Sequence, residues 1–388
     1  MQKLQRLLVV AEPGRDGVFD YTAAFVDHLA RRHPEVAVDL AYSSRRSSPG
    51  LPGLVERVRA RGGQAVDLQV GNAPEPRDFP AALRLLRLAR HAQAVAAQSS
   101  KAGALCRLLR LLCPGFPPVL YLPHAYYGLG GDLSRKTRFY NAVEAALGRV
   151  GRTVTISPDE RRFALQTLRL PPERVEMVLM NVDTARYRPA PPGARERGRE
   201  RFGLPAGARV LVTVGRHSAQ KNYPPLYRAL GPLLADPARD LFFVHAGAGG
   251  EELGRLLPEA ARPRFVAAGH VDQVEELLWA ADAFILTSRY EGLALSVLSA
   301  LCCGLKLFLT RAPGNRCLAE LGFDGIGWIE PSSDETELAA RIGAVLRPWL
   351  ENPQPEGAPA GQVERARILF DAEARHEEVF HLLEGLAR

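Results

Sequence analysis

Short apolar runs alternate with longer amphipathic segments along almost the whole chain, and few folds accommodate that alternation. Residues 7–11 precede the amphipathic segment 21–32, 36–42 precede 54–61, 65–70 precede 81–92, and the pattern continues past 119–122. Runs this short and this uniformly apolar read as strands covered on both faces, which is the environment of a parallel sheet. Parallel neighbours need crossover connections, and the amphipathic segments supply them as helices. The alternation stops at Arg186-Tyr-Arg-Pro-Ala-Pro-Pro-Gly193, a turn-rich segment typical of a linker. It resumes with 210–214 and runs through 241–245, 264–267, 283–287, 306–310 and 325–329. Two doubly wound α/β domains are therefore expected, residues 1–188 and 189–361. A loose stretch, Glu351-Asn-Pro-Gln-Pro-Glu-Gly-Ala-Pro359, then precedes one last helical segment, 362–386.

Composition narrows the class. A chain of 388 residues with 46% hydrophobic residues can bury two cores. The five cysteines, Cys106, Cys113, Cys302, Cys303 and Cys317, lack the spacing of a zinc ribbon or a redox pair and read as reduced thiols packed in the interior. The apolar run 7–10 is too short for a signal peptide, and no run approaches the roughly 18 residues of a membrane span, so a cytoplasmic protein is expected. Charge is uneven: residues 1–188 carry 28 Lys and Arg against 17 Asp and Glu, the remainder 22 against 26. A basic first half suits an anionic partner, whether a phospholipid surface, a lipid pyrophosphate or nucleic acid. A compositional preference for arginine explains the same count equally well. Of these partners an anionic membrane surface, met peripherally, is retained as an expectation and nucleic acid is not.

Several chemistries find no motif. Gly247-Ala-Gly249-Gly250 lacks the third glycine of a dinucleotide fingerprint, and neither a P-loop nor an Asp-x-Asp, HExxH or CxxC signature is present. No metal site is expected. Two strand ends are more informative. Residues 210–214 run into Gly215-Arg216, with Lys221 five positions on and Pro224-Pro225 ready to open a helix. An arginine fork and a lysine point charge beside free helix amides suit a diphosphate. Taken singly, each cation reads as a solvated surface charge. The second strand end is Ser288-Arg-Tyr-Glu291-Gly, where a carboxylate meets a glycine as strand 283–287 gives way to a Leu/Ala/Val-rich helix closed by Gly304.

The segments Val214-Gly-Arg216-x4-Lys221-Asn, Ser288-x-x-Glu291-Gly and Cys303-Gly304-Leu-x-Leu-Phe-Leu with Ala312-Pro-Gly-Asn315 resemble glycosyltransferase family 4, the retaining, nucleotide-sugar-dependent enzymes of GT-B fold. In the first half Ser99-Ser-Lys-Ala-Gly103, Tyr121-Leu-Pro-His124-Ala, Thr155-Ile-Ser157 and Val182-Asp183-x3-Tyr187-x-Pro189 are similar to segments of bacterial exopolysaccharide and capsule members. The resemblance implies two Rossmann-like domains facing a central cleft, with the last helix, 362–388, returning to the first domain. It implies a nucleotide-diphosphate sugar as donor substrate, no cofactor and no metal, and a saccharide or lipid-linked acceptor in surface or exopolysaccharide synthesis. Residue by residue, it assigns Arg216 and Lys221 to the donor diphosphate, with backbone amides of Leu293, Ala294, Leu295 and Ser296. Glu291 falls on the transferred sugar, His124 near sugar and acceptor, and Gly17 in the loop after the first strand that lies over the donor.

Three positions depart from the family pattern. Eight residues after Glu291, where a second glutamate would accept both ribose hydroxyls, stands Ser299. Ala294 replaces a frequent glycine, and Gln98 a frequent histidine. A lost charged acceptor of this kind corresponds to about 1.5–3 kcal/mol of donor binding. Two other functions share the fold: a non-catalytic or weakly active partner subunit, and a sugar-nucleotide epimerase, which would need acid/base carboxylates in the cleft, and the sequence nominates no pair.

Overall fold

Both expected sheets are present in the structure, a computed structural model that describes residues 3–132, 134–352 and 357–387. The chain divides into two compact units, Met1–Asn181 with Ala372–Arg388, and Val182–Asp371. The linker motif at 186–193 thus lies inside the second unit, and the segment that rejoins the first unit starts at 372, not 362.

The first unit is built on seven parallel strands: β1 (Arg6–Ala11), β2 (Ala37–Tyr42), β3 (Ala65–Asp67), β4 (Ala94–Gln98), β5 (Val119–Leu122), β6 (Arg152–Thr155) and β7 (Val175–Met177). Their order is β3-β2-β1-β4-β5-β6-β7. The second unit has six: β8 (Arg209–Val214), β9 (Leu241–Ala246), β10 (Phe265–Gly269), β11 (Ala283–Leu286), β12 (Lys306–Thr310) and β13 (Gly327–Ile329), ordered β10-β9-β8-β11-β12-β13. In each sheet the chain winds outward from a central strand and then returns to that strand's other side. The central strands are dry: Leu7, Leu8, Val9 and Val10 of β1, and Val210, Leu211 and Val212 of β8, are fully buried, as are β4, β5 and β11 beside them. That burial accounts for the unbroken apolar runs.

The Ser99–Gly103 motif has a packing explanation. Gly103 lies in the helix Ser100–Leu112, and a Cβ there would come within 2.2 Å of the Tyr121 ring on β5. The close approach lets Arg107, one turn on, stack over Tyr121 at 3.9 Å and bond Glu144 at 2.7 Å. Tyr121 Oη donates to the other oxygen of Glu144 at 2.8 Å. A charge pair this dry persists because the ion pair is backed by further bonds: Arg107 Nε donates to the Gly103 carbonyl at 3.0 Å, and both Glu144 oxygens are engaged.

The last helical segment is not continuous. Helix Ala360–Leu369 ends at Phe370, and a second helix, Ala372–Leu386, follows. Phe370 is buried against Phe323, its carbonyl accepts from Val182 N at 2.9 Å, and Asp371 accepts from Thr184 Oγ1 at 2.6 Å. These tertiary bonds take the backbone out of helical geometry where no proline or glycine does.

Removing one partner of the Arg107–Glu144 pair strands the other charge in the interior. Arg107→Met is expected to lose about 3–5 kcal/mol in urea unfolding, with Arg107→Met/Glu144→Gln recovering much of it. A loss below about 1 kcal/mol in the single variant would mean that the pair does not support the sheet.

Candidate functional site

The order of the second sheet places a topological switch point between β8 and β11, where the connections leaving adjacent strands run in opposite directions. Loops at the carboxyl ends of such strands diverge and leave a crevice. Lys221 lies in the loop after β8 and Glu291 in the loop after β11, and the structure brings them together: Lys221 Nζ is 2.7 Å from Glu291 Oε1. Ser288 Oγ donates to the same oxygen at 2.5 Å, and Gln220 Nε2 donates to Glu291 Oε2 at 3.3 Å and to the Tyr290 carbonyl at 3.0 Å. Glu291 is 6% exposed, so a carboxylate is held at the strand ends in a largely dry setting with each oxygen engaged.

The local sequence builds this arrangement. Gly215 takes φ 155°, and a Cβ there would meet Tyr223 Oη at 2.8 Å. Thr287 Oγ1 donates to the carbonyls of Lys221 and Asn222, fastening the β8 loop to the end of β11. A third loop closes on the pair after β12. Gly314, at φ 86°, sits where a Cβ would be 2.1 Å from the Glu291 carbonyl oxygen, and Glu291 N donates to Pro313 O at 2.9 Å. The Ala-Pro-Gly-Asn run is thus the strap that lets a loop lie directly on Glu291.

The remaining expected residues of this unit fall around the same strand ends. Arg216 follows Gly215 and is exposed. Leu293 and Ala294 are buried, and Ala294 caps the helix Leu295–Cys302 without a side-chain bond. The first amides of a helix, including those of Leu295 and Ser296, have no carbonyl partner within it. Ser299 is 4% exposed, in the middle of a helix that is buried from Val297 onward. Gly304, at φ 87°, ends that helix, with Leu305 N donating to Ala300 O at 3.0 Å. Ser288 and Gln220 were not anticipated as partners of Glu291. The only sequence signal for Ser288 is its place three residues before the carboxylate, and Gln220 has none beyond its adjacency to Lys221.

His124 and Gly17 belong to the first unit. Gly17 is not in a loop but in the first turn of the helix Asp16–Arg32, which begins five residues after β1 ends. His124 follows β5 in left-handed backbone geometry, φ 55°, and Ala125 continues it at φ 97°. Glu160 holds this turn by accepting from Ala125 N and Ile156 N, both at 2.7 Å. Burial raises the Glu160 carboxyl to about 7 against the pull of those two amides. His124 Nε2 lies 2.6 Å from Gln98 Oε1, and its ring meets the edge of Tyr21 at 4.8 Å between centroids. Burial pushes the imidazole down to about 4, so it is neutral at neutral pH. Gln98 Oε1 can only accept, which places the proton on Nε2 and leaves Nδ1 as a buried lone pair with no partner.

Two family models match this chain, one described as Glycosyltransferase Family 4 over residues 15–186 and one as Glycosyl transferases group 1 over residues 208–347. A D-inositol 3-phosphate glycosyltransferase of Geodermatophilus obscurus is 32% identical over 216 residues, which are 52% of this chain and 47% of that protein. A UDP-Gal:alpha-D-GlcNAc-diphosphoundecaprenol alpha-1,3-galactosyltransferase of Escherichia coli is 26% identical over 236 residues, 58% of this chain and 60% of the relative. The matches span about half to three fifths of the length of these curated relatives. Among solved structures, Anabaena HepE in complex with UDP and glucose superposes with a TM-score of 0.78 at 18% identity, covering 98% of this chain and 100% of HepE. With both halves matched in order, and two doubly wound sheets beneath them, the chain belongs to the family 4 glycosyltransferases of GT-B fold.

Proposed function

We propose that this chain transfers a sugar from a nucleotide-diphosphate sugar to a saccharide or lipid-linked acceptor, with retention at the anomeric centre and without a metal. The observation that carries the reading is the Lys221–Glu291 pair at the switch point of the second sheet. An ammonium has three N–H donors, so Lys221 can keep one on Glu291 and offer others to phosphate oxygens. In this reading Arg216 and the amides from Leu293 to Ser296 share the leaving diphosphate, and Glu291 accepts from the sugar's hydroxyls and opposes the positive charge that grows at the anomeric carbon. The acceptor hydroxyl attacks from the face the diphosphate leaves and passes its proton to a donor phosphate oxygen. His124, neutral and with one free ring nitrogen, is assigned to the acceptor side. Uridine donors are the first to test, because HepE is described in complex with UDP and the Escherichia coli relative is named for UDP-Gal.

Thermal shift with UDP, GDP, ADP, CMP and TDP and their sugars tests the donor. A ligand at 100 times its dissociation constant stabilises by about 2.7 kcal/mol. Glu291→Gln should bind the best nucleotide nearly as the parent does while transfer falls roughly ten- to a hundredfold, the equivalent of a lost charged acceptor. Lys221→Ala should weaken nucleotide binding and also unfold more readily, since it leaves Glu291 buried without its cation. If no nucleotide shifts the parent and no transfer is seen, the non-catalytic partner reading replaces this one.

We further propose that the first unit meets an anionic membrane. Arg107 and Arg110 do not supply charge for it, because Arg107 is buried on Glu144 and Arg110 spends its guanidinium on the carbonyls of Pro114 and Phe116. What supports the reading is apolar: on the helix Ser100–Leu112, Leu108, Leu111 and Leu112 are 45%, 59% and 67% exposed. No helix among the described residues is long and apolar enough to cross a membrane. At low salt the parent should float with phosphatidylglycerol-containing vesicles, and Leu111→Ser/Leu112→Ser should reduce the bound fraction severalfold. A parent that stays with the free protein would end the idea.

A further inference from the structure

Two histidines and a glutamate of the first unit point at one another away from every residue considered above. His28 stands near the end of the helix Asp16–Arg32, His33 caps that helix, and Glu377 lies on the helix Ala372–Leu386. His28 Nε2 and His33 Nε2 are each 3.0 Å from the same oxygen, Glu377 Oε2. The ligand atoms of all three residues lie within 4.8 Å of one another. We infer that His28, His33 and Glu377 form a site for a divalent transition metal of the zinc type, which ties the chain's last helix to its first.

The geometry favours a metal. Zinc binds imidazole nitrogen and carboxylate oxygen at about 2.0–2.2 Å, which in a tetrahedral site spaces neighbouring ligand atoms about 3.3 Å apart. The two 3.0 Å separations to Glu377 need only a small outward shift, and all three ligand atoms already lie within 4.8 Å of one another. A carboxylate stands close behind His28, shared with Arg32, whose Nε donates to Glu373 Oε2 at 3.0 Å, while the one nearest His33 Nδ1 is beyond hydrogen-bond reach. His28 Nδ1 is 3.3 Å from Glu373 Oε2 and His33 Nδ1 is 4.0 Å from Glu35 Oε1. Carboxylates behind metal-bound imidazoles fix the ring and its tautomer in metal centres.

His28 is 1% exposed and faces carboxylates through both nitrogens, and its Nδ1 makes no hydrogen bond. A neutral imidazole has one N–H and satisfies one of the two. Two states satisfy both: an imidazolium, or an imidazole that turns Nδ1–H to Glu373 and gives its Nε2 lone pair to a metal. The ring of His33 is already fixed, stacked on Phe380 at 3.6 Å between centroids. Glu377 is 35% exposed, so water can complete the coordination, or His381, whose Nε2 is 3.5 Å from the other Glu377 oxygen. Imidazole and carboxylate ligands together suit zinc, nickel and copper better than magnesium or calcium.

This site takes no part in the transfer reading, and its test is independent of donor binding. Tag-free full-length protein, stripped with a chelator, is titrated with zinc chloride by calorimetry and in parallel by thermal shift. The expected result is one saturable site whose filling raises the melting temperature. His33→Asn and Glu377→Gln should abolish both signals, and Glu373→Gln should weaken binding roughly 10–100-fold through the ring it orients. His270→Ala, which changes an exposed histidine of the second unit, should bind as the parent does. Each variant's metal-free melting temperature shows that it has folded. The absence of saturable binding, or binding unchanged in His33→Asn and Glu377→Gln, would overturn the proposal and leave the cluster as an imidazolium clasp.

Discussion

A buried carboxylate must be compensated where it stands, and Glu291 makes the second unit depend on that requirement. Its cation comes from the loop after β8, its hydroxyl donor from the end of β11, and its backbone partner from the loop after β12. These three loops meet only if the strands beneath them are in register. Ala283 pairs with Leu211 on one side and with Lys306 on the other, which sets the three strand ends side by side. A slip of one residue would turn each strand's side chains to the opposite face and part the loops. The apolar runs therefore do more than fill a core. They fix the level at which a carboxylate and an ammonium can meet.

The same pair explains why glycine recurs at this end of the sheet. Backbones that approach within van der Waals distance of a neighbour's carbonyl have no room for a Cβ, and positive φ excludes most residues that carry one. Gly314 meets both conditions over Glu291, as Gly247 does over the Gly215 carbonyl, where a Cβ would be 2.4 Å away at φ 134°. The Gly215 carbonyl is in turn bonded by His245 Nε2, whose other nitrogen meets Tyr227 Oη at 2.7 Å. Burial lowers the His245 pKa, keeping the ring neutral and able to serve as donor on one side and acceptor on the other. The loop that carries Arg216 and Lys221 is thus anchored from beneath by a chain of hydrogen bonds.

Much of this was legible in the sequence, and the illegible parts share a cause. The strands β1 and β11 announce themselves because a strand covered on both faces needs no polar positions to interrupt it. Gly215, Lys221, Glu291 and Gly314 are legible as motif residues because chemistry and backbone geometry restrict what can stand there. What the sequence hides is long-range pairing. Nothing in 362–386 forecasts a break at Phe370, since the break is made by Val182, Thr184 and Phe323. Arg107 reads as the polar face of a helix until Tyr121 and Glu144 close over it. His28, His33 and Glu377 form no motif, because the last of them lies more than three hundred residues from the others.

Ser299 shows how a single departure can follow from packing as well as from function. Its helix is buried continuously from Val297 to Cys303, with Leu298 and Ala300 fully so, and a serine hydroxyl can bond locally within such surroundings. A carboxylate at that position would have to be desolvated, which is unfavourable by several kcal/mol unless a ligand's hydroxyls or a cation meet it. The chain therefore keeps one charged side chain of the motif, Glu291, where Lys221 compensates it. At the second position it has Ser299. A donor site organised this way would draw its grip on the nucleotide from phosphate contacts and helix amides more than from the ribose. Such contacts read charge and leave base and sugar less strictly specified.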